Sequence, residues 1–380
     1  MTSDFQLSDI IESGIQNTDD DGILQIYCAG DSDTKSKKKF RGVIFEGQNL
    51  VYRGFPYTEE IFDLDDIRLN KLDKLRCCWS YEGTILKFFY HVPSNDEYRK
   101  KLVETTGQEG KWYCTTHRKL NAFESRWISK LSFGQLFEKA LEKYNLDYKN
   151  FLELLDKSKR YHFLLVSSQE TRIVIKPELQ KETIYLVLMT DCFDRPLDLP
   201  WNCDPIPVSE TVEIENCEHI LKIIESINPF EKQGLLFFNG DCLKQYRILN
   251  HKYRQFVNVR NNIPNLKFCY VEVRKDPELA KRFLELYPEE TENTAFIEKR
   301  IDVIAGELYE VYKQRYIHQQ IIKVSHERHD ILKIIHDQYK NTRKPIKIDD
   351  VYRIINSYSK TNKLYKIIFK TDNIVLGKIQ

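Results

Sequence analysis

Phe40-Arg-Gly-Val-Ile-Phe-Glu46 alternates its side chains with the period of a strand, turns at Gly47-Gln48-Asn49 and resumes as Leu50-Val-Tyr-Arg53. Strands joined by so short a turn must be antiparallel, and their register decides which side chains face inward. Runs of the same kind recur at residues 22–27, 85–91, 111–116, 161–166, 171–175, 184–189, 235–238 and 243–249. Many short strands without a regular strand–helix alternation predict an α+β fold built from antiparallel hairpins. A short helix is expected within residues 1–20. Another should cover residues 133–144, where apolar residues recur at helical spacing behind Ser132 as N-cap.

The pattern changes after Tyr287-Pro288, where residues 296–316, 326–339 and 349–359 read as amphipathic helices. Two domains are therefore expected, a mixed one over 1–285 and a small all-α one over 286–380. The loop holding Pro196, Pro200, Pro205 and Pro207 separates two parts of the first without dividing it. From residue 311 onward, 15 Lys and Arg stand against 6 Asp and Glu, a local charge of +9 in a chain of net +1, so the first 310 residues carry −8. Such a basic helical surface suits a phosphate backbone, although a merely solvated lysine-rich surface gives the same count.

Hydrophobic residues at 41% and charged residues at 30% describe a chain able to bury a core. Neither a signal peptide at the start nor an apolar run of membrane-spanning length is evident, so no membrane partner is expected. The nine cysteines form no CxxC pair, which favours reduced, mostly buried thiols. His326, His329 and His336 lack a cysteine or paired acid at ligand spacing and read as exposed helix residues, so no metal site is assigned. Neither a glycine-rich phosphate loop nor a Ser-His-Asp arrangement is present.

The chemistry rests on residues 80–84, Ser80-Tyr-Glu-Gly-Thr84. Covalent nucleotidyltransferases use Lys-x-Asp/Glu-Gly, whose lysine amine attacks the α-phosphorus of a nucleotide. Here Ser80 stands at the lysine position, and a serine without an adjacent base is a poor substitute. Alone, a turn with Glu and Gly is commonplace. In order along the chain, however, Arg41-Gly-Val-Ile-Phe-Glu46, the segment from Val51 to Glu60 and this Glu-Gly turn resemble the N-terminal adenylyltransferase region of the bacteriophage RNA ligase 1 family. Downstream, residues 161–174 resemble its Phe-Glu-x-x-Ser-Pro-x-Asn-Arg-Ile-Val element, with Leu164 in place of the glutamate. Gln233-Gly-Leu-Leu-Phe237 resembles its Glu-Gly strand, with Gln233 for the acid. Tyr246-Arg-Ile-Leu-Asn-His-Lys-Tyr253 resembles its Lys-x-Lys element, with Arg247 and Leu249 for the lysines.

A group of RNA-ligase-like proteins of large nucleocytoplasmic DNA viruses is similar more closely still, sharing Ser-Tyr-Glu-Gly-Thr, a Gln-Gly strand and a Leu-Asn-x-x-Tyr element. The likeness includes Lys111 to Gly134 and Asn228 to Gly234, reaches about Pro288, and weakens over the helical tail. The block after Lys111 sets His117, Arg118, Lys119, Arg126 and Lys130 beside Trp112, Phe123 and Trp127, a mixture suited to phosphates and stacked bases. Core tryptophans flanked by surface cations read equally well.

The resemblance implies a nucleotidyltransferase fold of the RNA ligase type, with ATP-grasp-like antiparallel sheets, followed by the helical domain. It implies a catalytically degenerate protein that binds RNA or nucleotide in a former adenylyltransferase cleft. The alternatives are an active ATP-dependent RNA ligase using a displaced lysine, Lys87 or Lys74, and a virion structural component. Nucleotide-binding candidates are Arg53, Glu82, Gly83, Gln233 and Arg247; nucleic-acid candidates are His117, Arg118, Lys119, Arg126, Arg172 and Lys252. No cofactor is assigned, ATP and Mg2+ being required only by the active alternative. Expected partners are RNA or another nucleic acid, with virion proteins as a further option. The expected location is the cytoplasm of the infected host cell or the virion.

Overall fold

The computed structural model describes residues 6–370 apart from 31, 35, 64, 67–74, 193–194, 198–203, 240–243 and 261, and the backbone of 375–376. Short alternating runs form strands as predicted. β1 (Asn17–Asp20), β2 (Gln25–Cys28), β3 (Arg41–Glu46) and β4 (Asn49–Tyr52) make an antiparallel sheet in that order. One face buries Tyr27, Val43 and Phe45 against Leu7 and Ile10 of α1 (Leu7–Glu12), and the other buries Ile26, Ile44 and Tyr52 against Phe89 and Tyr113. Gly22 lies in the β1–β2 turn with φ +84°, a left-handed conformation, so β2 begins later than its composition suggests.

Downstream come β5 (Glu59–Glu60), β6 (Arg76–Ser80), β7 (Gly83–His91), β8 (Lys111–Thr115), β9 (Lys159–Val166), β10 (Ile184–Asp191), β11 (Gly234–Phe238) and β12 (Gln245–Leu249). They form two four-stranded sheets, ordered β10-β9-β7-β8 and β5-β12-β11-β6. Successive side chains on a strand point to opposite faces, and this decides the layering. Leu86, Phe88, Phe163 and Leu186 turn one way, onto Phe137 of α3 (Phe133–Leu141) and Phe151 of α4 (Tyr148–Leu154), with α2 (Asp96–Thr106) preceding them in the chain. Each such fully buried side chain contributes about 1.5–3 kcal/mol. Leu235, Phe237 and Ile248 of the third sheet cover Ile220 and Ile224 of α5 (Cys217–Ser226). The residues between these, Ile85, Lys87 and Leu164 on one sheet and Leu236, Gln245 and Arg247 on the other, line a common cleft.

Three expectations change. The segment 171–175 is not a strand, because the amides of Ile173 and Val174 bond the Glu82 carboxylate and not a neighbouring strand. The helix expected over 133–144 ends at Leu141 and closes with a tight turn over Glu142–Tyr144 before Asn145 at φ +55°. The run expected over 243–249 forms β12 from Gln245 onward, Leu243 lying outside the described residues.

The chain divides into compact units Met1–Arg254 and Gln255–Gln380, a break earlier than the 285/286 boundary of the sequence reading. Within the second unit, α7 (Leu266–Val273), which follows α6 (His251–Arg260), binds later helices: Asn265 Nδ2 donates to Tyr365 Oη at 2.9 Å and Arg274 pairs with Glu298 at 2.7 Å. Tyr287-Pro288 is only a short interruption between α8 (Pro277–Leu286) and α9 (Thr291–Tyr312). The unit continues with α10 (His326–Thr342), α11 (Ile348–Ser357) and α12 (Thr361–Phe369), around a core that includes Ile301, Leu308, Leu332, Ile355 and Leu364. Part of its positive charge is paired, as Lys360 and Lys363 share Asp330 and Arg328 meets Glu307.

Candidate binding cleft

β6 ends at Ser80, and the chain turns through Tyr81-Glu82 to start β7 at Gly83. Glycine is required there, since a Cβ would stand 2.2 Å from the Leu165 carbonyl oxygen. This tight approach sends the Glu82 side chain inward, where it is buried. Its carboxylate accepts from the amides of Ile173 and Val174 and from Tyr253 Oη at 2.9 Å. Burial pushes the Glu82 pKa up, against the lowering effect of those donors. Ser80 Oγ donates to Gln233 Oε1 at 3.1 Å, and Gln233 Nε2 donates to Tyr253 Oη at 2.8 Å. A hydrogen-bonded series thus runs from Ser80 through Gln233 and Tyr253 to Glu82.

Above this floor lies a cleft of about 350 Å³, within the size range of small-molecule sites. Its ionisable lining residues include Arg41, Lys87, His117 and Arg247, and no Asp or Glu lines it among the described residues. Arg247 is held by Glu60 at 3.3 Å, the same carboxylate that accepts from Arg254 Nε at 2.8 Å. Parallel pairing of β5 with β12 sets Glu60 directly beside Arg247. Lys87 is buried and donates to the Gly42 carbonyl at 3.1 Å, above the Tyr52 ring. Gly42 sits at φ +67°, and a Cβ there would come within 2.7 Å of the Lys87 ammonium and 3.0 Å of His117 Cα. Next to Lys87, His162 bonds Tyr52 and packs on Phe55 at 4.4 Å. Burial, reinforced by the Lys87 charge, pushes the His162 pKa down to about 3. Trp79 and Tyr81 form an aromatic wall, with Tyr81 stacked on Tyr185 at 4.8 Å.

Of the sequence-selected residues, Ser80, Gly83, Lys87, His117, Gln233 and Arg247 meet in this cleft. Glu82 lies beneath it. Arg53 follows β4 outside the lining, Arg172 is buried in the loop after β9, and Lys252 is exposed in the first turn of α6. Arg118 and Arg126 are exposed elsewhere, and Lys119 is bound to Asp19 at 2.9 Å. Trp112 and Phe123 pack inward, Trp112 against the second sheet's core and Phe123 edge-on to Tyr148. Lys74 lies outside the described residues. Sequence reading missed Arg41, although an arginine opening an otherwise apolar strand was a usable signal. It also missed Trp79 and Tyr81, whose roles depend on cross-sheet placement.

Among the described residues no three His, Cys, Asp or Glu side chains gather at metal-binding distance, and no helix is long and apolar enough to cross a membrane. His336, expected on an open helix face, instead stacks on Tyr316.

No protein-family model matches the chain. Over 378 residues it is 27% identical to an immediate-early protein ICP-46 homolog of Invertebrate iridescent virus 6, covering 94% of this chain and 80% of that protein. The homolog of Invertebrate iridescent virus 3 is 28% identical over 292 residues, 73% of this chain and 60% of its own. Immediate-early protein ICP-46 of Frog virus 3 is 23% identical over 265 residues, 66% and 62% of the two chains. The expected likeness to proteins of large DNA viruses is thus met. Among solved structures, two forms of an archaeal ATP-dependent RNA ligase superpose with TM-scores of 0.45 and 0.44 at 12% identity, covering 79% and 93% of this chain and 78% and 94% of theirs. A putative ATP-dependent DNA ligase from Aquifex aeolicus gives 0.38 at 11% identity, over 87% of both chains.

Proposed function

We propose that the cleft binds a nucleotide, free or at the end of an RNA, and that adenylyl transfer through position 80 has been lost. The protein is on this reading a catalytically degenerate relative of RNA ligases. The observation that carries it is the character of the lining: cationic side chains from three sheets over a floor of Ser80 and Gln233 whose hydroxyl and amide are already bonded to one another. Cations attract phosphate, and the aromatic wall offers a face to a base. Among the described residues the serine hydroxyl is bonded to the Gln233 amide, which is not a base able to activate it. Mg2+ fits the described lining poorly, because that ion is normally anchored through one or two carboxylates and none lines the cleft.

A second reading has one observation in its favour, the presence of Lys87 in the same cleft. In it the lysine amine, once deprotonated, would attack the α-phosphorus of ATP, forming a phosphorus–nitrogen bond as pyrophosphate leaves. Incubation with α-labelled ATP and Mg2+ separates the two. We expect no acid-labile, base-stable label on the protein, together with measurable ATP binding by calorimetry. Arg247→Glu should weaken that binding at least ~10-fold, since a charge-assisted hydrogen bond contributes about 1.5–3 kcal/mol. Label mapped to Lys87 would establish the second reading, and absence of both label and binding would defeat both.

A further inference from the structure

An aromatic column stands on two helices of the second unit. Tyr316 belongs to a single π-helical turn, Lys313–Ile317, directly after α9, and it stacks on His336 of α10 with ring centres 4.0 Å apart and planes 13° apart. Tyr339, almost one turn further along α10, continues the column at 6.1 Å and 25°. Tyr312 supports the base of it, 5.3 Å from Tyr316. Buried packing accounts for Tyr312 only: Tyr339 is 37% exposed, and Tyr316 and His336 are half-buried. The Nδ1 atom of His336 is buried with no hydrogen-bond partner among the described residues, so stacking is the main contact seen for this ring. π-Helical turns are rare, and this one closes the C-terminal end of α9.

The surroundings are cationic. Residues 313–316 and 333–344 hold six Lys and Arg against one acid, Asp337. Lys313 is paired with Glu310 and Lys340 with Asp337, while the Arg315 guanidinium lies 5.8 Å from the Tyr316 ring centre. α10 stops at Arg343, in the left-handed region at φ +56°, and exposed Lys344 follows. Near-parallel aromatic rings edged with cations match single-stranded nucleic acid, whose bases present flat faces at intervals along a line of phosphates.

We infer that this column is a binding site for single-stranded RNA, one base stacking against Tyr339 and the neighbouring phosphates meeting Arg343 and Lys344. The site lies wholly in the second unit and does not rest on the reading of the cleft. Its test uses the full chain and two fluorescein-labelled probes, a 12-nucleotide oligoadenylate and a ribose-phosphate 12-mer without bases. Anisotropy titrations should show the oligoadenylate binding at least ~10-fold more tightly than the abasic probe, as expected for base stacking. Tyr339→Ala should remove most of that preference and leave the abasic probe unchanged, while Tyr339→Phe, which keeps the ring, should retain it. The double change Arg343→Ala, Lys344→Ala should weaken both probes and reduce the salt slope by ~1.4, from about 0.7 per phosphate contact on a single strand.

An unchanged preference in Tyr339→Ala, or no preference in the wild-type chain, overturns the inference. So does self-association of the chain that Tyr339→Ala disperses without altering RNA affinity, which would make the column a protein contact. Arg247→Glu serves as the comparison: if it abolishes RNA binding while Tyr339→Ala does nothing, the cleft reading stands and the column reading falls.

Discussion

Replacing Glu82 with alanine should destabilise the first unit by about 3–5 kcal/mol, because three neutral donors lose their buried acceptor. The carboxylate accepts from the amides of Ile173 and Val174 and from Tyr253 Oη, and each orphaned donor would carry its own desolvation penalty of about 1–3 kcal/mol. Entry of water and relaxation of the loop after β9 keep the total below the sum. Glu82→Gln retains the size and one acceptor oxygen but points an amide at a backbone N–H, so roughly half of the loss is expected. Urea unfolding followed by far-ultraviolet circular dichroism would measure both. If Glu82→Ala were as stable as the parent and merely bound nucleotide less well, the carboxylate would be a ligand group and not a structural clamp.

Acid should weaken the protein through His162, by about 2 kcal/mol between pH 7 and pH 5. In the unfolded chain a histidine titrates near its ordinary 6.5, whereas buried His162 holds off its proton until about 3. Between those values the unfolded state binds the extra proton. The stability is therefore present above pH 6.5 and is lost as pH falls from there toward 3. Glu82 acts in the opposite sense, because its pKa is raised on folding and its contribution favours the protonated, low-pH side. The informative quantity is thus the difference between parent and His162→Gln. That variant should be weaker at pH 7, having lost the Tyr52 bond and the Phe55 contact, yet should fall less steeply on acidification. Equal slopes for the two proteins would show that His162 is not the group responsible.

Much of this architecture was legible because strand alternation is a local property. The hairpin at Gly47 is visible in the twelve residues from Arg41 to Tyr52, and the same rule places Lys87 on the strand face opposite Leu86 and Phe88. The role of Glu82 was not legible, since two of its partners are backbone amides 91 and 92 residues away, and backbone amides have no sequence signature. A β-rich, apolar composition made 171–175 look like a strand for the same reason. The sequence boundary follows the start of the long amphipathic pattern after Tyr287-Pro288, whereas the compact units divide after Arg254, because the short helix α7 has its partners in later helices. Arg41 and Arg247 reach one cleft only after three sheets have assembled, so a list of motifs could name one and overlook the other.

The first unit, residues 1–254, holds 35 Lys and Arg against 40 Asp and Glu, a net charge of −5, yet the described lining of its cleft has cations and no carboxylate. A net negative unit weakly opposes an approaching anion at long range, whereas within about one Debye length of the lining cations, ~10 Å at 0.1 M salt, their attraction prevails. A compact anion crosses that outer field with two or three charges, whereas a long polyanion must bring many charges along the surface together. For the nucleotide-binding cleft proposed above, the entrance would therefore discriminate by length, admitting mononucleotides and strand ends faster than the interior of a chain.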